Sequence, residues 1–254
     1  MREIIAAFTQ IFVCVYMNSD SWVEERTLLW TLTILFYYIS SILLKKHSWQ
    51  KDEKICLILG LATFALFSGF LLSYCSAVDH WIIFLATALV DIIVAVLQFC
   101  PPLYLDNHGL SGNFRLLHGF LLVMMSSMVL TGKLSFRLVL DMVPSHLSWQ
   151  TWGLIKECRS SRDDTKKSIV STAIILGKHG CFKMIVLFCL FSDLYIAIDM
   201  ASYSISRGLP LLLIPWQIRI SYKLKYMKIG SLSAEAFAYM IVFNALIVLG
   251  IAYK

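Results

Sequence analysis

Trp152–Gly180 reads WGLIKECRSSRDDTKKSIVSTAIILGKHG and is the longest polar interruption in a strongly apolar chain. It carries Lys156, Arg159, Arg162, Lys166, Lys167 and Lys178 against only Glu157, Asp163 and Asp164. Placed on a helix, Glu157, Ser160 and Asp164 fall at i, i+3 and i+7 and share one face. Two carboxylates on one face, with cations around them, are a donor set for a divalent metal and a polyanion such as a diphosphate. A basic loop with incidental acids has the same composition, and the residues alone leave both readings open.

On either side of this stretch the chain is hydrocarbon-like. Of its 254 residues 59% are hydrophobic and 15% charged, where a soluble domain carries about 25% charged residues. That composition describes a polytopic membrane protein of the all-α class. The net charge of +6 then reflects orientation and anionic lipid headgroups rather than nucleic acid, and no nucleic-acid motif accompanies it. The seven cysteines show no CxxC pair and no zinc spacing with histidine. They imply no disulfide framework.

A membrane helix needs roughly 20 mostly apolar residues. On that measure nine candidate helices lie near residues 3–18, 27–44, 55–75, 80–100, 114–131, 134–155, 183–203, 207–221 and 233–252. The first follows a weak n-region with no small-x-small cleavage site, so it reads as a membrane helix rather than a removed signal. Short linkers make the whole of 1–254 one helical bundle and a single domain. Nine spans also sort the charges. Of the 22 Lys and Arg, only Arg26, Lys133, Arg137, Arg207 and Lys254 fall on the side away from the N-terminus. The positive-inside rule puts the N-terminus and the basic loops in the cytoplasm.

Several residues inside the apolar segments are costly there and are functional candidates for that reason. Asp91 and Asp193 are the deepest, and with His118, Trp81 and Trp152 they are candidates to line an internal chamber. The alternative role is polar glue between helices. Asp141 and Asp199 sit near helix ends and read as structural. The aromatic residues, 13% of the chain, suit either a carbocation-stabilising wall or ordinary membrane interfaces.

Order and spacing then carry a resemblance. Phe99-Cys-Pro-Pro-Leu-Tyr-Leu105, followed by Gly109-Leu110, resembles the Y-x-P-P-x-R-L-K…G-L segment of the UbiA superfamily of intramembrane prenyltransferases. Asn113 and Gly119 resemble the opening of that family's fifth helix. Ser171-Thr-Ala-Ile-Ile-Leu-Gly177 is similar to the tail of its second aspartate-rich motif, N-x-x-D-x-x-x-D. Counted back from the tail, Asp164 takes the last Asp, Ser160 the first Asp, Arg159 a basic position and Glu157 the Asn. The resemblance is best over residues 95–254.

It implies a nine-helix membrane fold in which Asp164 and Glu157 hold Mg²⁺ and act in catalysis. Arg159, Arg162, Lys166 and Lys167 would bind a prenyl diphosphate, and a lipophilic acceptor or membrane lipid would be the partner. A terpene cyclase acting on the same donor, and a non-catalytic isoprenoid-binding relative, are the alternatives. Three departures bear on these expectations. The first aspartate-rich motif belongs in Tyr37–Trp49, which has no carboxylate. Asp52 and Glu53 are the nearest acids on the cytoplasmic side, while Asp20, Glu24 and Glu25 lie on the other. Ser160 replaces an Asp, and Asp106 stands where a Lys is usual.

Overall fold

Every described stretch of regular structure is helical, as the 20-residue apolar runs require of a chain that satisfies its own backbone. The computed structural model describes residues 24–49, 54–74, 78–99, 103, 105, 108–132, 134, 136–166, 169–226 and 231–253. The helices are α1 (Glu24–Trp49), α2 (Lys54–Ser73), α3 (Trp81–Phe99), α4 (Ser111–Thr131), α5 (Phe136–Asp141), α6 (Val143–Lys166) and α7 (Thr172–Ser202). A 3-10 helix (Ile205–Leu213), α8 (Ile214–Lys225) and α9 (Leu232–Ala252) follow. Eight of the nine expected spans are thereby helical. The first, near 3–18, lies outside the described residues, as do Asp52, Glu53, Asp106 and Lys167.

Three boundaries differ from the sequence reading, each for a local reason. The expected helix 134–155 breaks at Met142, ahead of Pro144, because proline lacks the N–H of the preceding turn and disfavours helix just before it. After the break α6 runs on to Lys166, so the charged stretch is itself helical. The next helix starts at Thr172 rather than 183 and kinks at Gly177 (φ 61, ψ 178), a backbone conformation close to glycine-only. The expected helix 207–221 is a 3-10 segment containing Pro210 and then α8, with Pro215 in its first turn.

The chain divides into two compact units. One comprises residues 3–106 and 113–140, the other 107–112 and 141–254. In the first, α1 packs along α2. Trp30, Phe67, Phe84, Met125 and Met128 are fully buried, and the Trp30 indole N–H donates to Ser126 Oγ at 2.8 Å. In the second, α6 lies along α7, and α9 packs on α6 and on the 3-10 helix. Ile155, Ile185, Ile220 and Phe243 fill its core. Glu235, in the first turn of α9, accepts from Arg219 (2.9 Å) and Lys223 of α8.

Among the described residues, four helices are long and apolar enough to cross a membrane: Lys54–Ser73, Trp81–Gln98, Thr172–Ser202 and Leu232–Ala252. Their outward faces carry large apolar side chains such as Ile82 (64% exposed) and Leu190 (59%). Lipid tails are as apolar as leucine, so such faces need no protein cover in a bilayer. This is an integral membrane protein.

Candidate functional site

The site grows from the junction of α6 and α7 in the second unit. The N-terminus of α7 leaves backbone N–H groups without intrahelical partners. Ser171 sits at the N-cap with extended backbone (φ −87, ψ 162) but makes no side-chain cap. Glu157 does that work from the neighbouring helix, its Oε2 accepting the Ala173 N–H at 3.3 Å. A carboxylate at a helix N-terminus also meets the positive end of the helix dipole.

The Pro-Pro segment ends against the same junction. His108 pairs with Val170 in an isolated parallel bridge. Thr172 Oγ1 donates to the Gly109 carbonyl (3.2 Å) and accepts the Gly112 N–H (2.9 Å). Gly109 has φ 84, a backbone that favours glycine, and a Cβ there would lie 2.0 Å from Ile175 Cδ1 and require that side chain to turn aside. The two motif segments, sixty residues apart in sequence, therefore share one hydrogen-bonded joint. Thr172 and Gly112 were not singled out from the sequence; the motif tail and the Gly-Leu pair were the signals that pointed there.

Glu157, Ser160 and Asp164 do share one face of α6, and all three are half-buried. Ser160 Oγ donates to Asp164 Oδ2 at 2.8 Å and lies 3.2 Å from the Glu157 carbonyl. Two aspartates at this i, i+4 spacing repel unless a cation lies between them. Here a neutral hydroxyl supplies the positive end of a dipole instead. Both carboxylates are thus engaged within the protein, and the described residues include no group of three or more His, Cys, Asp or Glu able to hold a metal. Mg²⁺ is commonly held by one or two carboxylates together with substrate phosphates and water, so Asp164 and Glu157 fit the ion once they give up these partners.

The cations occupy a different face. Residues 159, 162 and 166 also fall at i, i+3 and i+7, and at about 100° per residue that stripe lies nearly opposite the carboxylate face. Arg159 and Lys166 are exposed. Lys156, also exposed, sits 5.7 Å over the Trp152 ring in a cation–π contact. The arrangement leaves an outward basic stripe and an inward carboxylate face. The Cys158 thiol, hydrogen-bonded to Cys181 and desolvated, is pushed well above the ordinary thiol range and stays protonated.

The intramembrane candidates fall into two groups. Asp91 and His118 meet in the first unit, with Asp91 Oδ1 2.5 Å from His118 Nδ1. Tyr37 stacks on the imidazole, a contact nothing in the sequence pattern indicated. Asp193 belongs to the second unit, where Gln217 Nε2 donates both to Asp193 Oδ1 (2.9 Å) and to Tyr239 Oη (2.7 Å). Trp152 is buried and Trp81 is 52% exposed. Asp199 takes two bonds from Arg207 (3.0 and 3.2 Å), and Asp141 accepts from Tyr195 at 2.6 Å.

No protein-family model and no curated protein matches the sequence. In three dimensions the chain is similar to the apo structure of a UbiA homolog from Aeropyrum pernix K1. The TM-score is 0.67 at 12% identity, with 97% of this chain and 98% of that chain covered. Likeness that sequence carried mainly after residue 95 thus extends over nearly the whole length. The chain has a UbiA-like fold.

Proposed function

We propose that this protein binds a prenyl diphosphate at the basic stripe of α6 and passes its isoprenyl group to a lipophilic acceptor, in the manner of a UbiA-type prenyltransferase. The observation that carries the reading is the joint itself. In a UbiA-like fold, the two motif segments are fastened together beside a helix end bearing Arg159, Arg162 and Lys166. Guanidinium and ammonium groups neutralise the charge that develops on a leaving diphosphate, which is the main electrostatic demand of allylic ionisation. Lys167 belongs to the same proposal. Mg²⁺ held by Asp164 and Glu157 remains part of it only if both carboxylates exchange their present partners for the ion. The same ionisation would serve a cyclase without an acceptor.

A second reading has a specific observation in its favour. With Glu157 capping α7 and Asp164 bonded to Ser160, the carboxylates have structural occupations, as expected of a relative that binds an isoprenoid without ionising it.

Diphosphate release separates the readings. Membranes containing the protein are given geranyl, farnesyl and geranylgeranyl diphosphate, with and without Mg²⁺ and with and without aromatic acceptors. The transferase reading expects release that requires an acceptor and falls about tenfold in Arg159→Ala and Lys166→Ala, the loss of one charge-assisted bond each. Release without acceptor, with a cyclic product, selects the cyclase. Saturable binding with no release under any condition selects the non-catalytic relative. Absence of binding overturns all three.

A further inference from the structure

The first unit contains a pair of ionisable groups that the α6–α7 joint leaves unused. Asp91, midway along α3, and His118, on the second turn of α4, are 0% and 1% exposed. Asp91 is the only charged residue of α3. Its Oδ1 holds His118 Nδ1 at 2.5 Å, and the Tyr37 ring lies nearly flat on the imidazole, centroids 3.8 Å apart with planes 22° from parallel. Tyr37 in turn meets the rings of Tyr38 and Phe67, each at 5.2 Å.

The pair leaves one polar atom unpaired on each side chain. Asp91 Oδ2 and His118 Nε2 are buried and have no hydrogen-bond partner among the described residues. Polar groups that merely tie helices together close their bonds on each other, because leaving one unmade in an apolar interior is costly. A carboxylate at Nδ1 fixes the tautomer: Nδ1 carries the proton and Nε2 presents a lone pair. Two acceptor atoms facing no donor are satisfied by a ligand that brings one. The aromatic wall and the apolar α3 mean that a ligand arriving from the bilayer is itself lipophilic.

We infer that Asp91 and His118 form a proton-accepting site for the hydroxyl group of a lipophilic alcohol or phenol. The ligand O–H donates to Nε2. On transfer the O–H bond breaks, its electron pair stays on oxygen, and an Nε2–H bond forms. The resulting imidazolium is stabilised by the Asp91 carboxylate and by the face of Tyr37. The inference is independent of the prenyl diphosphate reading, since it concerns only the chemistry of this pair.

The test uses the full chain in detergent, with a long-chain alkyl 4-nitrophenol as probe and no diphosphate present. At a pH well below the probe's own pKa, bound probe shows the phenolate absorption band with wild-type protein. His118→Gln and Asp91→Asn lower the phenolate fraction about tenfold, equivalent to one unit of probe pKa. With ¹⁵N-labelled histidine, the His118 Nε2 resonance of the wild type, assigned by its loss in His118→Gln, moves from unprotonated toward protonated as probe is added. That second readout needs no variant to be stable. A wild-type protein that leaves both the probe band and the Nε2 resonance unchanged overturns the inference, as does an equal phenolate fraction in folded His118→Gln.

Discussion

Ser160 is the residue at which this chain and the aspartate-rich pattern diverge most informatively. A carboxylate there, four residues from Asp164, would demand a cation; the hydroxyl removes that demand by donating 2.8 Å to Asp164. Glu157, where the pattern has Asn, reaches across to cap α7. Substituting it separates structural from chemical roles. Glu157→Ala should cost about 1 kcal/mol, the usual worth of a helix cap with its dipole interaction, read as a lower midpoint of thermal unfolding in detergent. Glu157→Gln keeps an acceptor for the Ala173 N–H and should lose about half as much. If Glu157 also serves as a metal ligand in turnover, Glu157→Gln removes Mg²⁺-dependent release, a loss out of proportion to the small drop in the unfolding midpoint. The sequence placed Glu157, Ser160 and Asp164 on one face correctly because i, i+3, i+7 spacing is a property of the helix alone. It put the cations around the same point, and the same 100° advance sets residues 159, 162 and 166 on the far side.

Among the elements, the joint between Gly109–Gly112 and the start of α7 holds the second unit's site together. Its parts were legible as motif fragments, but their contact was not, because nothing in a single sequence ties residue 109 to residue 172. Gly109 makes the joint testable. Alanine at φ 84 costs about 1–2 kcal/mol for the left-handed backbone, and its methyl would overlap Ile175. Gly109→Ala should therefore destabilise by more than the backbone cost. Because Ile175 is 60% exposed, Ile175→Ala alone should change little. The double variant should recover the steric part and leave the backbone part, giving a coupling of about 1 kcal/mol in a double-mutant cycle. Additive losses would mean that the two residues do not meet. The helix boundaries follow the same logic. Prolines 144 and 215 are local signals that the count of apolar spans passed over, whereas the continuation of α6 through a charged stretch depended on packing along α7, which composition disguised as a loop.

For the whole molecule, apolar length dictated the architecture. Runs of about 20 apolar residues leave a chain in lipid no alternative to helices, which is why the spans were legible. Orientation is a separate matter, set by the Lys and Arg of the loops rather than by packing. α7 offers a clean measurement, since a 31-residue helix at 1.5 Å per residue is longer than the hydrocarbon core of about 30 Å. Lys166, exposed at the end of α6 just before α7, lies in the basic cluster expected in the cytoplasm, and Ser202, exposed at the far end of α7, is expected on the opposite side. In cells expressing a chain whose other cysteines are replaced by serine, Ser202→Cys should react with an impermeant maleimide added outside. Lys166→Cys should react only after the membrane is permeabilised. The reverse pattern would invert the topology and place the basic stripe away from the cytoplasm. Labelling of both positions from one side would mean that α7 does not span, which would remove the membrane-crossing element on which the position of the α6–α7 joint depends.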